Sequence, residues 1–119
     1  MYDKSNVFAK ILRGEIPCKK ICENEYGVSF HDISPCASQH ALVIPRGEYV
    51  NFYEFLARAS AAEQAGFWTV VKETADALGI RDDFNTWASA GDAPFVKQSV
   101  PHFHLHLVAG ERLKDPTYF

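Results

Sequence analysis

The chain has 119 residues and a mass of 13.4 kDa, enough for one domain with a single core and too little for two. Apolar residues make up 47% of it, aromatic residues 13% and charged residues 23%, a composition that excludes disordered and fibrous classes. Fifteen acidic against twelve basic side chains leave a formal charge of −3, and without a Lys/Arg run the electrostatic footprint of a nucleic-acid binder is missing. The longest apolar run, Ala41 to Ile44, is far below the ~20 residues that cross a bilayer. No apolar signal core follows Met1-Tyr2-Asp3-Lys4, so the expectation is a soluble, cytoplasmic protein without a membrane partner.

The predicted elements run as follows. Val7, Phe8, Ile11 and Leu12 behind polar Ser5 and Asn6 form a short helix, ended by Gly14 and Pro17. Lys19 to Glu25 and Val28 to His31 read as a hairpin turning at Tyr26-Gly27, with Ile21, Val28 and Phe30 facing inward. After the turn residues Asp32-Ile33-Ser34-Pro35, the run His40 to Ile44 stops at Pro45, as expected of a central strand buried on both faces. Ser60-Ala-Ala-Glu63 is a capping box, and Phe67, Trp68, Val71, Ala75 and Leu78 recur at helical spacing until Gly79. Phe84 to Ala88 and Val100 to Val108 complete five strands, separated by a loop holding Gly91 and Pro94. Because strand and helix do not strictly alternate, the class is α+β, with one long and one short helix on a mainly antiparallel sheet. Cys18, Cys22 and Cys36 are odd in number and lack a Cys-x-x-Cys spacing, so they read as reduced thiols.

Three of the five histidines, His102, His104 and His106, alternate with Phe103, Leu105 and Leu107. On a strand rising ~3.3 Å per residue, they would stand in a row on one face about 6.6 Å apart, with the apolar residues opposite. A lone strand histidine is usually a surface or hydrogen-bonded core residue, but three in register can share protons, because charging all of them at once is costly. Two chemistries use such a row. A His-x-His pair plus a third ligand could hold a catalytic zinc, or a neutral imidazole could attack phosphorus directly while its neighbours stabilise the developing charge.

The pattern His-φ-His-φ-His-φ-φ, with φ apolar, preceded by Gln98-Ser99-Val100, is the signature of the histidine triad family. The chain resembles the histidine triad nucleotide-binding proteins that hydrolyse purine nucleoside phosphoramidates. The likeness extends over Val7 to Pro17, Phe30 to Pro35, His40 to Pro45 and Gln98 to Val108. It implies a single histidine triad domain over the whole chain, no cofactor, no metal and a homodimer in which two five-stranded sheets join. It implies that His104 is the nucleophile, that His106 contacts the phosphate, that His102 orients the nucleophile through the strand backbone and a hydrogen-bond network that includes His40, and that Ser99 helps the leaving group depart. It implies that Asp32 binds the ribose hydroxyls, a reading preferred to the rival one in which Asp32 simply caps the turn before Ser34-Pro35. Phe8, Ile11, Ile16, Phe30 and Ile33 would wall the base, and Ser89 and Gln98 would lie on the nucleotide side. His31, beside Asp32, would point to the other side of the strand. In two places the chain departs from the family. Ser89-Ala90-Gly91 stands where many members carry an Asn followed by Gly, and the Gly91 to Lys97 loop, with Pro94 and Phe95, is longer than usual. Asn6-Val7-Phe8-Ala9 replaces the cysteines that give some relatives a structural zinc. The reading is a metal-independent hydrolase or transferase that cleaves a purine nucleoside monophosphate from an amine or acyl group through a nucleotidyl-histidine. The alternatives are a nucleotide-binding or scaffold protein with little catalysis and a zinc hydrolase built on the same histidines.

Overall fold

A computed structural model describes residues 1–93 and 96–115. Asn6 caps the first helix, α1 (Val7–Leu12), by accepting the Ala9 N–H at 2.9 Å, and Gly14 at φ 78° turns the chain out of it. Strands β1 (Lys20–Glu23) and β2 (Gly27–His31) form an antiparallel hairpin. Its turn is tied by the Asn24 carboxamide oxygen, which accepts from the Tyr26 and Gly27 amides. Strand β3 (Ala37–Pro45) follows, then helices α2 (Phe52–Arg58) and α3 (Ala61–Leu78). The chain ends with β4 (Asn85–Trp87), the two-residue strands β5 (Asp92–Ala93) and β6 (Val96–Lys97), and β7 (Leu105–Arg112). Five strands form one sheet in the order β1-β2-β3-β7-β4, with every neighbouring pair antiparallel.

The alternation of the central strands divides the core between two faces. Ala41, Val43, Leu105 and Leu107 point toward α3 and, with Phe55, Phe67 and Phe103, form the larger cluster. Leu42 and Ile44 point the other way, joining Val28, Phe30 and Phe8 of α1. Ladder register aligns Phe30 with Leu42, Leu42 with His106 and His106 with Trp87. One row of side chains therefore crosses the second face from an apolar wall to an imidazole and then to an indole.

The fold class, the sheet and the capped long helix are as the sequence predicts, with differences that have local causes. Strand β3 begins at Ala37 rather than His40. The last strand runs from Leu105 to Arg112 rather than from Val100 to Val108: Pro101 lacks a donor, and the chain there turns, with the His102 amide on the Val100 carbonyl and the Phe103 amide on the Tyr49 carbonyl. Val28 and Phe30 face α1, whereas Ile21 lies on the α3 side past an irregularity between Lys20 and Cys22. Helix α2 was not among the predicted elements, although Asn51 caps it by accepting the Glu54 amide. The stripe on α3 is partly used by the chain itself: Phe67 is fully buried and Val71 packs on the same core, while Trp68 remains 39% exposed. Within the long loop, Asp92 and Lys97 pair as strand partners and as an ion pair at 3.2 Å. Pro94 and Phe95 lie outside the described residues. Among the described residues no helix is long and apolar enough to cross a membrane.

Candidate active site

The second face of the sheet, closed by α1 and the Pro17–Cys18 segment, carries a cavity of about 290 Å³. Its apolar wall includes Phe8, Ile11, Ile16, Phe30, Ile33, Leu42 and Val100, and its polar side brings together Asp32, His40, Ser99, His104 and His106. The segments after β2, at the start of β3 and before β7 thus converge because the register places them side by side.

Backbone partners fix the proton on each imidazole. A carbonyl can only accept, so His104, whose Nδ1 lies 2.8 Å from the His102 carbonyl, carries its proton on Nδ1 and its lone pair on Nε2. By the same logic His102 donates from Nε2 to the Pro45 carbonyl at 2.9 Å, leaving Nδ1 to accept from the Tyr2 hydroxyl at 2.6 Å. An amide N–H can only donate. His40 therefore accepts from the Cys36 amide at Nδ1 (3.0 Å) and carries its proton on Nε2, which faces His106 Nδ1 at 2.9 Å. His106, accepting at Nδ1, is left with Nε2–H as a donor. These assignments hold for neutral rings, and burial keeps them neutral. Desolvation is the main cause that lowers His102 to about 4 and His106 to about 3, and it lowers His104 and His40 too. Repulsion among the histidines adds to this as a smaller cause for His102 and His106. The sequence suggests mutual repulsion as the reason for neutrality, but in the fold the loss of water outweighs it.

Asp32 does two things at once. Its Oδ1 accepts the Ser34 amide at 2.7 Å, capping the turn, while Oδ2 stands 3.4 Å from His40 Nε2 at the cavity edge. Asp32, His40 and His106 offer three potential metal-ligand atoms within 4.8 Å of one another. They fit a cation poorly: ligation by His40 Nε2 would drive its proton to Nδ1, directly against the Cys36 N–H. The trio is arranged as a hydrogen-bonded pair with a carboxylate beside it.

The remaining site candidates lie elsewhere. His102 is fully buried behind His104 and outside the cavity lining, before the strand rather than in a row on its face, and meets His104 through its main-chain oxygen. Gln98 also lies outside the lining: its amide donates to the Val50 and Val100 carbonyls, and its oxygen accepts the Gly91 amide, closing the loop. Ser89 is buried outside the lining, and among the described residues its hydroxyl has no hydrogen-bond partner. His31, expected on the far side of its strand, is exposed at the cavity rim. The sequence reading missed Tyr2, Leu42, Trp87 and Lys114 as site neighbours. Trp87 stacks on His106 with ring centroids 4.6 Å apart and an interplanar angle of 9°, a pairing visible only once the β4–β7 register is known.

A two-faced antiparallel sheet whose last strand and the turn before it carry an alternating set of three histidines, with the lone pair of the middle ring turned away from the backbone, defines a histidine triad protein. The chain belongs to the HIT domain family, whose model matches residues 13–113. It is 49% identical over 113 residues to an uncharacterized 13.2 kDa HIT-like protein of Azospirillum brasilense, covering 94% of this chain and 91% of that one. It is 34% identical to an adenosine 5'-monophosphoramidase of Schizosaccharomyces pombe, covering 87% and 73% of the two chains. Its fold matches the crystal structure of a histidine triad nucleotide-binding protein from Candida albicans with a TM-score of 0.75 at 29% identity, covering 87% and 73%.

Proposed function

We propose that the protein is a metal-independent nucleotide hydrolase that cleaves a purine nucleoside monophosphate from an amine or acyl leaving group. The observation that carries this reading is the His104 tautomer: Nδ1–H is committed to the His102 carbonyl, so Nε2 keeps a lone pair in a cavity that also offers an apolar wall and a carboxylate. The likeness to the S. pombe adenosine 5'-monophosphoramidase supports the choice of reaction.

The base packs against Phe8, Ile11, Ile16, Phe30 and Ile33, and Asp32 accepts from the ribose hydroxyls with the lone pairs left beside its turn cap. His104 Nε2 attacks phosphorus, forming a P–N bond as the bond to the leaving group breaks. The leaving group takes up a proton from the exposed Ser99 hydroxyl at the cavity rim. The positive charge on the substituted His104 ring is held at Nδ1–H by the His102 carbonyl, and His106 Nε2–H donates to a non-bridging oxygen. Water then attacks phosphorus as the P–Nε2 bond breaks, its released proton returns to the Ser99 oxygen, and the nucleotide leaves with His104 and Ser99 both restored. No step calls on a metal. The functional unit in this proposal is a cytoplasmic homodimer.

The decisive variant is His104→Ala. Turnover of adenosine 5'-phosphoramidate should fall by several orders of magnitude while adenosine monophosphate still binds. Quenched native protein should carry a nucleotidyl adduct by mass spectrometry that is missing in the variant. Near-native turnover by His104→Ala would overturn the assignment.

A further inference from the structure

The hydrogen bond from His40 decides which nitrogen of His106 donates, but it does not by itself decide the plane of the ring. Rotation about the bond joining the ring to Cβ is soft, and a hydrogen bond tolerates tens of degrees of misalignment before it weakens steeply. A flat aromatic contact tolerates much less, because tilting one ring drives its edge into the other. Trp87 supplies that contact. It is the direct cross-strand partner of His106, with centroids 4.6 Å apart and planes within 9°. The indole also touches the donor of the pair, lying 6.1 Å from the His40 ring. Strand β4 cannot slide to relax the stack, since the Thr86 hydroxyl donates to the His106 carbonyl at 2.7 Å. Behind the indole, Cys36, Ala37 and Val108 form a small apolar cluster against which it packs.

We propose that Trp87 is the positioning residue of His106: the stacked indole holds the imidazole plane so that Nε2–H stays aimed into the cavity, where the phosphate oxygens sit during reaction. His40 sets the tautomer and Trp87 sets the plane, two constraints from two strands on opposite sides of β7. This rests on the reading that His106 serves the phosphate. The aromatic pair should matter most when charge develops on the non-bridging oxygens, so its loss should appear in kcat more than in KM. The charged and titratable groups around the ring are His40, His104, Asp32 and Lys114, and all four side chains are kept when Trp87 is substituted.

The test compares Trp87→Leu, which keeps apolar bulk without a flat face, with Trp87→Phe, which keeps the face. An aromatic pair of this kind corresponds to about two- to twelvefold. With adenosine 5'-phosphoramidate, Trp87→Leu should lose kcat within that range with KM nearly unchanged, and Trp87→Phe should recover most of the loss. In histidine-labelled protein, NMR should show the His106 ring protons shifted upfield by the indole, a shift kept in the Phe variant and lost in the Leu variant. Native kcat in Trp87→Leu, or equal loss in both variants, would overturn the proposal. If the native protein does not turn over the phosphoramidate, the functional reading fails by itself. The positioning claim is then decided by the orientation of the His106 ring in crystals of the two variants, which must turn out of its plane in Trp87→Leu and keep it in Trp87→Phe. A His106 ring plane unchanged in Trp87→Leu overturns it.

Discussion

His104 keeps its lone pair on Nε2 because of a single oxygen atom, the His102 carbonyl. Any side chain could occupy the position of His102 and still offer that carbonyl, but a buried imidazole at 102 anchors the carbonyl by bonding Pro45 on one side and Tyr2 on the other. The pH dependence of activity follows from the same environment. Desolvation lowers the His104 pKa below its ordinary value near 6.5. The protonated ring has no lone pair to attack with, so kcat/KM should stay level from pH 8 down through 6.5 and decline only at more acidic values. A half-loss of kcat/KM centred near 6.5 would show that His104 titrates as an exposed imidazole and would contradict this. The three alternating histidines could be named from the motif, and His40, Asp32, Phe8, Ile11, Ile16, Phe30 and Ile33 from the family resemblance. Tyr2 and Trp87 could not, since each meets its histidine across a large sequence separation that no local spacing encodes.

At the scale of elements, α3 shows local signals agreeing with tertiary ones, with one exception. Ser60 and Glu63 exchange side-chain and backbone hydrogen bonds at its start, and Gly79 at φ 70° ends it. Gly66, in its middle, contradicts helix propensity for a reason outside the helix. A Cβ there would meet Tyr26 Cδ2 at 2.3 Å, and its carbonyl accepts the Asn24 amide at 2.8 Å. Gly66→Ala should gain up to about 1 kcal/mol in propensity and lose about 1–3 kcal/mol to the clash. The net expectation is a lower midpoint in urea unfolding, and a raised midpoint would mean that the Tyr26 ring moves aside freely. Helix α2 carries its own cap signal at Asn51, yet so short an apolar pattern is ambiguous in sequence without its partners Phe67 and Phe103.

For the whole molecule, four buried neutral histidines make stability depend on pH. In the unfolded chain each has a pKa near 6.5, whereas in the fold His102 sits at about 4 and His106 at about 3. Between those values the unfolded state binds protons that the folded state does not. The stability contribution is therefore complete above about 6.5 and falls as the pH drops, by up to about 1.4 kcal/mol per pH unit for each histidine. Urea midpoints at pH 7.5 and pH 5 should differ in that direction, and equal midpoints would show that these rings are not buried in neutral form. Assembly is a second property at this scale. The sheet ends at β4, whose Asn85 and Thr86 are exposed, and Trp68 remains partly uncovered on α3. A second copy pairing at that edge would join two sheets into one. Sedimentation at micromolar concentration should give twice the chain mass, and a species of about the chain mass would count against the homodimer.

What the sequence determined by itself is what depends on short-range order. The alternation of His102 to Leu107 placed apolar groups on the α3 side and histidines away from it, the Ser60 box and Gly79 bounded a helix, and Asp32 announced a turn. Register, tautomer and burial were decided only in the tertiary structure. Alternation says that His106 faces away from Leu107, but only the ladders with β3 and β4 put Leu42 on one side of it and Trp87 on the other. Which nitrogen carries each proton depends on whether a carbonyl or an amide stands opposite, and those partners, Pro45 and Cys36 among them, come from other segments of the chain. The depth of the pKa shifts depends on water excluded by the whole fold, a quantity no stretch of sequence contains.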